Sequence, residues 1–130
     1  MSTIDKQQCV SLILKYFPEY KQVAKEHLHD YGEILLHVFC AETINYPLIA
    51  LLQTNKETEQ IKKYCSLIEQ IWQEGNDDVV NVIAVTILEQ LSDDKIIWHK
   101  FGSYLSTAFK NYINRDVLTT NLMMLAVEPL

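Results

Sequence analysis

Apolar residues recur at three- and four-residue spacing along almost the whole chain, the pattern of helices that each bury one face. Cys9, Leu12, Ile13, Tyr16 and Phe17 share a face of a first helix. Ser2 or Thr3 can cap its start, and Pro18 ends it by removing an amide donor and restricting Phe17. The same proline suits the first turn of a second helix. Val23, His27, Leu28 and Tyr31 make that helix's narrow apolar edge, and Gly32 is a natural C-terminal stop. A stripe from Glu33 through Leu35, Val38, Phe39 and Glu42 predicts a third helix that Tyr46-Pro47 breaks or kinks, with a short apolar segment from Leu48 to Leu52 beyond it.

Thr54-Asn55-Lys56-Glu57 has the spacing of a capping box, a hydroxyl followed three residues later by a carboxylate. It predicts the start of a regular helix with Ile61, Tyr64, Cys65, Ile68, Ile71 and Trp72 on one face, ended by Gly75. Asn76 or Asp77 then caps a helix from Asp78 to Leu91 that is apolar nearly all round, as a central buried helix should be. Ser92 is the expected cap of the next helix, with Asp93 and Asp94 in its first turn, where the macrodipole favours acids. That helix carries Ile97, Phe101, Tyr104, Leu105, Ala108, Phe109 and Tyr112, with a kink expected at Gly102; Leu118, Leu122 and Leu125 suggest a last one. The predicted fold is all-α, a single domain over residues 1–130. Its five to seven helices, joined by short turns, form an antiparallel bundle or stacked αα-hairpins.

At 130 residues one ordinary domain is expected, and such a chain buries roughly two-thirds of its unfolded surface without metal or disulfide staples. No apolar run approaches the roughly 20 residues that cross a bilayer. The N-terminus lacks the basic-then-apolar layout of a secretory signal, so a cytoplasmic protein is expected. Cys9, Cys40 and Cys65 are odd in number and sit among apolar neighbours, which reads as small buried hydrophobes rather than a disulfide or zinc framework. Seventeen acids against eleven bases argue against direct nucleic-acid binding.

Catalytic and metal chemistry find little support. His27 and His29 are two apart and point in different directions on a helix. Asp30, Glu33 and His37 have the three-and-four spacing of ligands on one helix, but Gly32 interrupts it and a second ligand motif is lacking. The cysteines lie on apolar stripes, away from the electropositive settings that make thiolates. Three isolated glycines cannot build a phosphate loop. Hence no catalytic residue, metal or cofactor is expected.

Charge is more informative. Between Lys63 and Lys95 there is no basic residue, while Glu69, Glu74, Asp77, Asp78, Glu89, Asp93 and Asp94 supply seven acids. Glu74, Asp77 and Asp78 gather at one helix junction, and Asp93 and Asp94 at the next, roughly 20 Å away along a helix. These acids cap helices and aid solubility, or they form a docking surface for a basic partner, with complementary charge speeding association and aromatic anchors prolonging it. Trp98, Trp72 and Tyr104 are the nearby aromatic residues; Trp72, on its regular stripe, suits the core. Glu89 is either buried against a partner such as Asn81 or exposed on a mixed strip with Val82 and Val85.

The succession Phe17-Pro18-Glu19, Glu33-Ile34-Leu35-Leu36-His37, Ile68-Glu69, Gly75-Asn76-Asp77-Asp78 and Val85-Thr86-Ile87-Leu88-Glu89 resembles small all-helical bacterial immunity proteins of polymorphic toxin or contact-dependent growth inhibition systems. The resemblance runs over roughly residues 10 to 115 and carries no catalytic residue. It implies a cytoplasmic antidote that binds a cognate toxin domain, basic and often a nuclease, and blocks its active site or a nearby surface. Glu74, Asp77, Asp78, Asp93, Asp94 and Trp98 are then the expected contacts of a one-to-one complex, the free protein being a monomer or weak homodimer. Two other readings remain: a helical scaffold that dimerises through an aliphatic face, and a metal enzyme built on Asp30, Glu33 and His37.

Overall fold

The structure, a computed structural model, describes residues 3–130. Among them the chain is all-α, with seven helices and no strand. Helix α1 is Lys6–Tyr16. Its cap is Asp5, not Thr3: the Asp5 carboxylate accepts from the Gln8 amide, and the Gln8 side chain accepts from the Asp5 amide. Ser2, the other expected cap, lies outside the described residues. A 3₁₀ turn, Pro18–Tyr20, leads into α2, Lys21–Tyr31, which ends at Gly32 in the left-handed conformation expected of it (φ 73°).

Helix α3 covers residues 36–54 and differs from the sequence expectation at both ends. Glu33, Ile34 and Leu35 stay outside it. Pro47 neither breaks nor ends it, because the turn before the proline is widened: Ala41–Asn45 is π-helical, and the Tyr46 N–H reaches back five residues to the Ala41 carbonyl. A π turn moves the carbonyls that a proline ring would strike and relieves its missing donor. At the other end Asn55 takes the left-handed C-cap position (φ 53°) and Thr54 bonds back to the Leu51 carbonyl. The expected capping box therefore does not form.

Helix α4, Thr58–Glu74, carries the apolar stripe seen in the sequence. Residues 77–91 form α5, capped by Asn76, whose side chain accepts from the Val79 N–H. Helix α6, Lys95–Gly102, is capped by Asp94 rather than Ser92. Ser92 instead closes α5, its hydroxyl donating to the Glu89 carbonyl. The helix expected to run on to Tyr112 stops at Gly102; Ser106 then caps α7, residues 107–120. Both α5 and α7 contain π turns, Ile83–Leu88 and Ile113–Val117.

The expected last helix through Leu122 and Leu125 is replaced by a 3₁₀ turn, Leu122–Met124, and an irregular tail that turns again before Glu128. Met124 is the fully buried residue there. The tail crosses α6, where the Trp98 indole donates to the Glu128 carbonyl at 3.0 Å and the Leu130 side chain fills the space beside Gly102.

One core runs through the bundle. Helix α5 packs on α1, α3 and α4, placing Val79, Val82, Ile83, Ile87, Leu88 and Leu91 inside. Phe17 stacks on Tyr64 at 4.2 Å, and Trp72 packs against Phe109 and Tyr112. Among the buried polar side chains His27 is held at both ring nitrogens: the Leu35 N–H donates to His27 Nδ1, so the ring proton sits on Nε2 and reaches Glu42 at 2.7 Å. Where the π turns of α3 and α5 meet, Asn45 Nδ2 donates to the Thr86 carbonyl and to Gln90.

Candidate functional site

Helix α5 is not buried all round. Asp77, Asp78, Asn81 and Val85 are exposed along one edge, and a groove lies on each side of it. Two-residue and four-residue steps explain this edge: when Val79, Val82 and Ile83 face the core, positions 77, 78, 81 and 85 must face out.

The first groove, about 540 Å³, runs between α5 and α7. Val80, Ala84 and Val85 line it from α5, and Tyr112 and Val117 from α7. Asp77 and Asp116 stand in its walls, and among the described residues no Lys or Arg lines it. Tyr112 registers this environment: burial pushes its hydroxyl pKa up, and the Asp116 charge adds to the shift. The second groove, about 530 Å³, lies between α5 and the starts of α1 and α3, with Asp5, Asp78, Lys6 and His37 around Leu35, Leu36, Val79 and Val82. Lys6 is the base there, and its ammonium is engaged by Glu33 at 3.2 Å.

Asp5 reaches this position because the N-terminal segment is pinned to the α4–α5 junction. The Ile4 N–H donates to the Glu74 carbonyl at 2.6 Å, and the Asn76 N–H to the Ile4 carbonyl at 2.9 Å. The acids around the N-terminal end of α5 are therefore Glu74, Asp77 and Asp78, joined by Asp5, while Asp116 faces the groove from α7. Sequence reasoning missed the last two. Asp5 was legible as a cap, since Gln8 follows it by three residues, but nothing local ties Asp116 to Asp77.

The remaining expected contacts lie elsewhere. Asp93 and Asp94 are at the far end of α5, and Asp94 is occupied, accepting from the Ile96 and Ile97 amides at 2.8 and 3.0 Å. Trp98 is 1% exposed and belongs to the core, so the expected aromatic anchor has no surface to offer a partner. Glu89 is half-buried, with the Asn121 amide at 3.4 Å rather than Asn81, and Val82 is buried while Val85 is 41% exposed. Tyr104 is half-buried and donates to Asn55 at 2.6 Å.

Asp30, Glu33 and His37 do not converge. Asp30 meets His29, Glu33 meets Lys6, and His37 bonds Thr86 at 2.6 Å. No cluster of three metal-ligating side chains occurs among the described residues. The three cysteines are buried. The hydrogen bond between Cys40 and Cys9 lowers the Cys9 thiol pKa and, with burial, raises that of Cys40; burial pushes Cys65 up to about 12. No helix among the described residues is long and apolar enough to cross a membrane.

A family model described as Domain of unknown function (DUF7674) matches residues 10–119. No curated protein and no solved structure matches the chain.

Proposed function

We propose that this chain, which belongs to the DUF7674 family of domains of unknown function, is a binding protein without catalysis of its own. Its role is that of an immunity protein, which neutralises a cognate toxin domain by occluding its active site or substrate-binding surface. The observation that carries this reading is the α5 edge, where Asp77, Asp78 and Asp116 flank two grooves, Asp5 stands beside them as the α1 cap, and Lys6 is already paired with Glu33. The sequence resemblance to bacterial immunity proteins points the same way.

A nuclease toxin holds phosphates in a cleft lined by Lys and Arg. An acidic face with apolar floor between its charges competes for such a cleft, steering the encounter by charge and holding the complex by buried apolar area. A cytoplasmic site of action belongs to the same proposal. The scaffold alternative draws on exposed Leu122, Met123 and Leu125; a solution mass that rises with concentration would favour it.

The test is to purify the tagged chain from a bacterial host, identify a stoichiometric companion by mass spectrometry, and assay that companion's activity on DNA and RNA before and after release by denaturant. A one-to-one complex, inactive until released, is expected. A companion fully active in the complex, or a chain that elutes alone, contradicts the proposal. Within the complex, Asp77→Lys with Asp78→Lys should slow association at least tenfold and flatten its salt dependence, since both side chains are exposed and steering falls with lost charge. Unchanged kinetics would remove these two acids from the interface.

A further inference from the structure

The groove between α5 and α7 has a shape and chemistry that select one kind of occupant. Its α5 wall runs from Asp77 to Val85, roughly 12 Å or two helical turns. Beyond Asp77 that wall carries Val80, Ala84 and Val85 with the amide of Asn81 among them, and an acid stands in each facing helix, Asp77 in α5 and Asp116 in α7. Arg115 lines the adjoining hollow rather than the groove. Beyond its end the chain turns at Leu122 and Met123, 82% and 75% exposed, so an apolar lip continues the floor.

We propose that this groove receives a short amphipathic helix of the partner, two to three turns long, with aliphatic residues at i and i+4 facing Val80, Ala84 and Val85 and with Lys or Arg flanking them. The inference rests on the binding function proposed above and adds to it the partner's recognition element. Helix-in-groove docking reads i, i+3 and i+4 anchors, and the spacing of the α5 wall matches such anchors. Charge decides the sign of the partner. A second copy of this chain would bring Asp77 and Asp116 against acids of its own kind, in a protein with formal net charge -6, so self-association is opposed. A basic helix instead places cations against both acids.

The groove can be tested without the natural partner. The probe is a fluorescein-labelled 14-residue peptide of Leu and Lys in helical amphipathic order, with a Leu/Glu peptide of the same pattern as control. Anisotropy at low ionic strength should give saturable binding of the Leu/Lys peptide and none of the Leu/Glu peptide. Amide shifts in NMR should concentrate at residues 80–85, 112–120 and 122. Val85→Lys and Asp116→Lys, both at exposed positions and checked for an unchanged melting temperature, should each weaken binding at least tenfold, while Asp93→Lys should change it less than twofold. Equal loss from all three substitutions, or shifts spread over every acid, means attraction to charge alone and overturns the inference. So does a dimer that Val85→Lys dissolves, which gives the groove to a second copy. If the purified toxin complex keeps full affinity with Val85→Lys and Asp116→Lys, this docking mode falls while the immunity function stands.

Discussion

Asp94 separates an acid that holds the fold from acids that are free to meet a partner. Its carboxylate accepts two backbone N–H groups at 2.8 and 3.0 Å at the start of α6. Replacing an N-cap acid with alanine costs about 1 kcal/mol, up to about 2, and the lost charge at the helix N-terminus adds a few tenths of a kcal/mol. For a chain of 130 residues roughly 4 °C accompanies each kcal/mol. Asp94→Ala should therefore lower the melting temperature by about 4–8 °C. Asp94→Asn keeps an equally good cap acceptor and removes only the charge, so it should stay within about 2 °C of the parent. Since Asp94 lies roughly 20 Å from Asp77 along α5, beyond a Debye length of about 8 Å, Asp94→Asn should also leave partner association within about twofold. Circular-dichroism melts and stopped-flow association check both parts. An unshifted Asp94→Ala melt, or an Asp94→Asn loss as large as that of alanine, would refute the cap; a slowed Asp94→Asn association would refute its separation from the interface.

Gly75→Ala should cost about 1–3 kcal/mol by overpacking, since a Cβ there meets the Ile71 carbonyl oxygen at 2.6 Å and Val79 at 2.8 Å; urea melts measure it, and a neutral result would mean the α4–α5 junction is looser than described. In the native protein all three thiols should resist Ellman's reagent at pH 8, because they are buried and burial pushes Cys65 up to about 12; rapid release of a thiol equivalent before unfolding would contradict this. Hydrogen bonds from Lys95 and then His99 hold the Glu128 carboxyl below the usual carboxylate range. That contribution is present above the unfolded-state value and is lost as pH falls through the depressed one. The melting difference between the parent and Glu128→Gln should accordingly close as pH falls below about 4; a gap that persists or widens below that pH would contradict it.

Much of the fold was legible because most helices announce themselves by stripe and stop. Gly32, Gly75 and Asn76 act where a local rule places them, and the α4 stripe is regular enough to survive tertiary packing. The failures have two causes: a tertiary or backbone feature that no local rule reports, and local signals that compete for the same residues. Pro47 is a strong breaker, yet a π turn one step earlier absorbs it, and no local rule reports a widened turn. Thr54 and Glu57 fit a capping box, but Asn55 satisfied the preceding helix with a left-handed cap. Ser92 and Asp94 were both good caps, and the closing of α5 took the serine. At the candidate site, Asp77 and Asp78 were visible as exposed first-turn acids. The groove itself was not visible, because its other wall comes from α7 and depends on Trp72 seating Phe109 and Tyr112. Trp98 looked like an anchor because it neighbours acids in sequence, whereas the returning tail covers it.

Hydrogen–deuterium exchange of the purified complex, compared with the free chain, tests docking at the α5 edge most directly. Slowed exchange over residues 77–85 and 112–122, with Lys95–Gly102 and α2 unchanged, is the result expected of a basic partner seated there. Protection confined to α2 or to the Asp93–Lys95 corner would contradict it, and the acids of α5 would then be left as helix caps and solubilising charge.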